Sequence, residues 1–282
     1  MQLIALDENR RLIHASQALR QQAYSCLECG SEVRLRGGKQ RQLHFFHMEP
    51  NRICLQNQKG PIHIYVQHFL YENLPTGDCQ LEYRFPQIAR IADAIWISKK
   101  IVFEIQYSPI SPAEVKARNE DYRKIGWEVV WILHEHHFNQ YLITSAEEEL
   151  RTHTHYFCSF NALGKGGIYD QYQWIEEGKR KIRLDPLPIN IRAPQKMALG
   201  QHFDNYLLKK KRAAWKYYFE NDLTHLFIND PKDAYIQKVL EIEAATKKSH
   251  FKIFVDTLSS FYNTLKSYYK QIFRYFIEKT CR

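Results

Sequence analysis

No apolar run in the sequence approaches the ~20 residues that a membrane-spanning helix needs. The amino terminus, MQLIALDENRR, carries charges where a secretory signal would need its apolar stretch. A soluble, cytoplasmic protein without a membrane partner is therefore expected. Cysteine is sparse as well. Six in 282 residues do not make a dense disulfide framework, which points to a reducing compartment and to metal or packing roles for the thiols. Internal repeats and long low-complexity linkers are also lacking, which excludes a solenoid. Acidic side chains are outnumbered by basic ones, 31 to 40, and the net charge of +9 favours a polyanionic partner through release of counterions from phosphates.

What is present divides into three regions. A chain that is 44% hydrophobic can bury a sizeable core and is long enough for more than one domain. Residues 1–58 hold a metal-like cluster, residues 59–150 read as an α/β unit, and residues 151–282 read as mainly helical, with short strands admitted between 155 and 190. In the middle region Ile62, Val66, Phe69 and Leu74 recur at helical spacing. Leu81, Tyr83 and Phe85 then alternate with Glu82 and Arg84, and two further strand-like runs (92–97 and 101–107) flank Ser98-Lys99. Ser111-Pro112-Ala113-Glu114 has the form of a helix start, with Ser at the N-cap, Pro at N1 and Glu at N3. Gly126 ends that helix, and WEVVWIL (127–133) reads as a buried strand joined by a right-handed parallel crossover.

Within KIVFEIQYSPIS (100–111), Glu104 and Gln106 stand among apolar residues. Alternation puts Ile101, Phe103 and Ile105 on one face and Val102, Glu104 and Gln106 on the other. If Ser98 and Lys99 form a hairpin loop, Ile97 pairs with Lys100 and Asp93 lies opposite Glu104. Two facing carboxylates destabilise a sheet unless a cation lies between them, and a hard divalent ion such as Mg²⁺ fits that description. A solvated edge strand is the alternative.

Near the amino terminus, Cys26-x2-Cys29 is followed after fourteen residues by His44-x2-His47. Two thiolates and two imidazoles suit tetrahedral Zn²⁺, and Cys54 is a possible replacement for either histidine. Four protein ligands make a closed, structural site. A small β-unit whose histidines merely pack is the alternative.

Asp93, Glu104 and Gln106 together read as the D…E-x-Q form of the PD-(D/E)XK nuclease motif, and the order helix, three strands, helix, strand matches the common core of that superfamily. More narrowly, RIADAIWISKKIVFEIQYSPIS, followed by Arg118, Tyr122 and WEVVWIL, resembles the nuclease-like region of CoiA-like competence proteins, which also carry a Cys-x2-Cys element. The resemblance covers about the first half of the chain. It implies a restriction-endonuclease-like mixed α/β sheet core behind an N-terminal zinc-finger-like module. It also implies an Mg- or Mn-dependent deoxyribonuclease acting on incoming DNA in natural transformation and recombination. Asp93 and Glu104 would hold the catalytic ion and Gln106 a water. Gln106 departs from the commoner lysine: its amide can orient a water but brings no charge.

His63 resembles a histidine found at this place in CoiA-like proteins and is a possible auxiliary group, as is Glu82 on the first strand; an outward Glu on an alternating strand is the ordinary case. Arg118 and Tyr122, at i and i+4, share a helix face and could meet a phosphate and a base, or Arg118 could be ion-paired. His134, His136 and His137 read as surface residues. Phe251, Phe254, Leu258, Phe261, Leu265, Tyr268, Ile272 and Phe276 form an apolar helical stripe that reads as core. Lys209, Lys210, Lys211 and Arg212 precede Trp215, Tyr217 and Tyr218, a pattern compatible with a surface that tracks and stacks single-stranded DNA. Two functions are therefore carried forward. One is a metal-dependent nuclease, and the other is a non-catalytic adaptor holding single-stranded DNA for recombination proteins.

Overall fold

The computed structural model describes residues 1–38, 41–49, 53–197, 212, 214–246 and the pairs 258–259, 261–262 and 265–266. The chain divides into two compact units, Met1–Asn229 and Asp230–Arg282.

The first unit begins with five short strands: β1 (Ile4–Leu6), β2 (Leu12–His14), β3 (Tyr24–Ser25), β4 (Glu32–Gly38) and β5 (Arg41–His47). They form a sheet in the order β2-β1-β3-β4-β5. Gln2 and Phe45 exchange backbone hydrogen bonds of 3.1 and 2.8 Å, which brings β5 back beside the start of β1. Ala5, Tyr24, Val33 and Phe45 fill this small sheet's own core. A 3-10 turn (Leu55–Gln58) then leads into α1 (Pro61–Asn73), whose first turn has Pro where a backbone donor would go unused.

Next come β6 (Cys79–Phe85), β7 (Arg90–Trp96), β8 (Ile101–Gln106), α2 (Pro112–Lys124) and β9 (Glu128–His134). The helix, three strands, helix, strand order expected from the sequence is present. Ser111 Oγ accepts the Glu114 N–H at 3.1 Å, so α2 is capped as its sequence indicates. At the other end Gly126 (φ 77°) closes a Schellman turn, with the Trp127 N–H on the Tyr122 carbonyl and the Gly126 N–H on the Arg123 carbonyl. The chain returns as β9, parallel to β8.

The sheet continues past residue 150. α3 (Ser145–Leu150) leads to β10 (His155–Phe160), parallel to β9, then β11 (Gly166–Asp170) adds antiparallel. β12 (Gln173–Glu176) and β13 (Lys179–Arg183) form a separate hairpin, and β14 (Leu187–Pro188) completes a seven-stranded mixed sheet in the order β14-β11-β10-β9-β8-β7-β6. β15 (Asn190–Lys196) pairs with β16 (Tyr217–Glu220), and α4 (Leu223–Asn229) ends the unit. The short strands admitted between 155 and 190 are present, and the aromatic run HYFCSF lies inside the large sheet. The helical reading beyond them is corrected at β16, where pairing with β15 overrides local pattern.

The sheet carries a core on each face. Phe103, Ile105 and Ile132 pack with Ile64, Val66 and Leu70 of α1. Val102, Trp131 and Leu133 pack with Val115 and Tyr122 of α2. In the second unit residues 234–246 are helical. Of the apolar stripe expected to be core there, Leu258, Phe261 and Leu265 are exposed, a correction for those three; its other members lie outside the described residues.

Candidate active site and metal centre

Strand register brings the two motif carboxylates together. Trp96 pairs with Ile101, Ile95 with Val102 and Ala94 with Phe103, so the next step sets Asp93 beside Glu104, as the hairpin count predicts. The ladder stops at that step, and Asp93 Oδ2 accepts the Ile105 N–H at 2.9 Å. On the other side of β7, Leu81 pairs with Ala94 and Tyr83 with Ala92, which sets Glu82 beside Asp93 too. Glu82 has φ 49°, in the left-handed region, and Leu81 and Glu82 are both buried. Three carboxylates thus form a row across three neighbouring strands. Asp93, Glu104 and Gln106 line one cleft of about 400 Å³ with His63, Arg118 and Tyr122.

None of the three carboxylates is short of cations, and the chain itself supplies them. Asp93 Oδ1 meets Lys59 Nζ at 2.8 Å and His63 Nε2 at 2.9 Å. Glu104 Oε2 meets Arg118 at 2.7 Å, and its Oε1 accepts the Tyr122 hydroxyl at 2.7 Å. Glu82 accepts the N–H groups of Leu3 and Ile4 through Oε2 at 3.0 and 2.8 Å, and Lys59 reaches its Oε1 at 3.2 Å. Burial would raise the Asp93 carboxyl, but His63 and Lys59 outweigh it and hold it well below the usual range. Glu104 goes the other way: burial raises it and Asp93 adds to the rise, although Arg118 opposes both. Two adjacent carboxylates pushed apart in proton affinity are a frequent property of functional sites. Burial disfavours the Lys59 ammonium, yet Asp93 and Glu82 reverse that and keep it charged.

The thiol cluster assembles with one exchange. Cys26, Cys29, His47 and Cys54 bring one ligand atom each to within 4.8 Å of one another. Cys26 Sγ lies 3.7 Å from Cys54 Sγ, and Cys29 Sγ lies 3.3 Å from His47 Nε2. Zn–S bonds of ~2.3 Å and Zn–N bonds of ~2.0 Å in a tetrahedron imply separations of ~3.8 and ~3.5 Å, so the four could hold a metal such as zinc. Cys54 takes the place expected for His44. His44 and His47 are three residues apart on β5, so their side chains leave opposite faces; the His44 Nδ1 sits 2.9 Å from the Gln42 carbonyl instead. Burial pushes the Cys26 and Cys54 thiols up, whereas Cys29 is lowered to about 6 because hydrogen bonds from Ser31 and His47 outweigh its burial.

Gln106 lines the cleft with one amide N–H committed to the Ser108 carbonyl at 2.6 Å. Arg118 and Tyr122 turn onto Glu104 rather than outward, and Arg118 also holds Glu114 at 2.9 Å. Arg212, expected on a DNA-tracking surface, is buried; it pairs with Asp170 at 2.6 Å and lies over the Trp215 ring at 4.2 Å. Lys209, Lys210 and Lys211 lie outside the described residues. His134 is buried with its ring 4.9 Å from Tyr107, while His136 and His137 are exposed, so the surface reading holds for those two and is corrected for His134. Two features escaped the sequence reading. Lys59 had no motif to mark it. Lys99, Lys100, Lys196 and Lys216 come from three segments to line a pocket of about 350 Å³ with Tyr217, a convergence no linear run displays.

Comparisons with known proteins extend the geometry. Residues 34–163, which span β4 to β10 and every cleft residue above, match the family described as competence protein CoiA, nuclease-like domain. Residues 5–60 match a domain of unknown function (DUF7830). Searches of the curated proteins and of the solved structures find no match.

Proposed function

The chain is CoiA-like, with the competence-type nuclease-like domain over residues 34–163, and from that premise we propose that its cleft is a phosphodiester-hydrolysing site for DNA, in a sheet of the restriction-endonuclease type. The observation that carries this reading is the meeting of Asp93, Glu104 and Gln106 from β7 and β8 in one cleft. The donor set of two carboxylates and water fits Mg²⁺ or Mn²⁺, since Asp93 Oδ2 and both Glu104 oxygens each accept one hydrogen bond and keep a lone pair, whereas Asp93 Oδ1 is taken up by Lys59 and His63. When bound, such an ion polarises the scissile phosphate, lowers the pKa of a bound water and offsets charge growing in the transition state. Asp93 and Glu104 would hold it. Gln106 orients a water by hydrogen bonding, and His63 Nε2, on Asp93, is placed to hold or pass a proton. Glu82 is committed to the backbone of Leu3 and Ile4, so its part is to anchor the N-terminal sheet beside the cleft. DNA is the substrate this reading favours, by the charge of +9. Among the described residues no helix is long and apolar enough to cross a membrane.

One observation favours a second reading, a DNA-holding adaptor for recombination proteins. Each motif carboxylate already has a cation from the chain itself, Lys59 for Asp93 and Arg118 for Glu104. A fixed cation can take the place of the divalent ion and leave a folded, inert site. Labelled single-stranded, duplex and branched DNA incubated with Mg²⁺ or Mn²⁺ separates the two. Ion-dependent cleavage that vanishes in Asp93→Ala supports the nuclease. Salt-sensitive binding without cleavage supports the adaptor, and the absence of both defeats each.

A further inference from the structure

The path of the chain from the thiol cluster to the cleft is short. Cys54 is the N-cap of the Leu55–Gln58 3-10 turn and Lys59 is its C-cap, so one turn separates a metal-ligand thiol from the cation on Asp93. The turn is held from below by Glu28, which lies between Cys26 and Cys29. Its Oε2 accepts the Gln56 N–H at 2.9 Å and the Cys54 thiol at 3.3 Å. Lysine is a compact charge on a flexible four-carbon stem and gives directed contacts only where its backbone is fixed. Lys59 nevertheless reaches two carboxylates, Asp93 at 2.8 Å and Glu82 at 3.2 Å, from a side chain 9% exposed. A 3-10 turn rises only ~2 Å per residue, so movement of Cys54 has little slack to absorb it before Lys59. The neutral Gln106 at the end of β8 brings no positive charge, and the lysine contact of Asp93 comes from Lys59.

We propose that Lys59 is a positioning cation of the Asp93 site and that the Cys26–Cys29–His47–Cys54 centre, when loaded with metal, holds it there. The N-terminal module then positions a working residue of the nuclease-like site. Loss of the metal withdraws the ammonium and leaves Asp93 to His63 and the Ile105 N–H. The consequence for cleavage rests on the nuclease reading, whereas the placement of Lys59 does not.

Two readouts keep these apart. The first is acylation of lysines by an amine-reactive reagent, quantified by mass spectrometry with exposed Lys216 as internal reference. In zinc-loaded protein Lys59 should be modified at least about tenfold more slowly than Lys216, because its amine is covered and engaged by two carboxylates. Removing zinc, or Cys54→Ser, should bring Lys59 to within a few-fold of the reference. Glu28→Ala keeps all four ligands and should raise the Lys59 rate with zinc still bound, which serves if the zinc-free forms unfold. Protection of Lys59 unchanged in a folded zinc-free protein, or in Glu28→Ala, overturns the proposal. The second readout is Mn²⁺ affinity at the cleft. Lys59→Met should tighten Mn²⁺ binding by about tenfold, as loss of a like charge requires, while lowering any cleavage. A residue with a merely structural role would weaken both, and that outcome also overturns it. Absence of Mn²⁺ binding in wild type would defeat the nuclease reading and leave the acylation result to decide the placement.

Discussion

Replacing Asp93 by Asn tests the electrostatic centre of the cleft most directly. Three donors converge on its two oxygens: Lys59 Nζ at 2.8 Å, His63 Nε2 at 2.9 Å and the Ile105 N–H at 2.9 Å. An Asn offers one acceptor oxygen and a donor NH₂, so in either orientation a donor faces a donor. Removing one partner of a buried ion pair costs about 3–5 kcal/mol. Lys59 keeps Glu82 at 3.2 Å, which sets the expectation at the lower end, ~3 kcal/mol. The pH dependence has a definite sign. The folded Asp93 carboxyl is depressed, so its contribution is full above the unfolded value of ~3.9 and is lost only as pH falls through the lower folded value. Urea unfolding at pH 5 and 3.5 should therefore show a gap between wild type and Asp93→Asn that begins to close at the lower pH. With an m-value near ~3 kcal/mol/M the midpoints differ by about 1 M. A gap below ~1 kcal/mol at pH 5, or one that widens between pH 5 and 3.5, would refute the ion-pair account.

The metal centre should carry one zinc per chain, measured by elemental analysis, with His44→Ala retaining it and Cys54→Ser losing most of it; the reverse pattern would restore His44 as the ligand. Arg212→Ala should destabilise by about 3–5 kcal/mol in chemical denaturation, because Asp170 is left buried without its cation. If DNA passes over the lysine pocket, Lys99→Ala with Lys100→Ala should reduce the slope of log affinity against log salt by about 0.7–0.9 per lost phosphate contact. An unchanged slope would place the DNA elsewhere.

The most readable parts of the sequence were those that depend on near neighbours. The pairing of β7 with β8 follows from a short loop and a side-chain period of two, so it put Asp93 beside Glu104. The Ser111 cap and the Gly126 stop are likewise set by backbone groups a few residues away. The family resemblance was legible for the same reason, being carried by one continuous run. The tertiary structure decided everything that depends on which distant segments meet. The exchange of His44 for Cys54 turned on strand faces and on where a loop seven residues beyond His47 returns. The buried fate of Arg212 was set by Asp170, forty-two residues away in sequence. Strands β10, β11 and β14 owe their state to pairing alongside β6–β9 in one sheet. Lys59 is the clearest case. A lysine alone in sequence signals solvent, and it becomes part of a site only because β6 and β7 set Glu82 and Asp93 side by side, where burial makes an unpaired carboxylate too costly to leave without a cation.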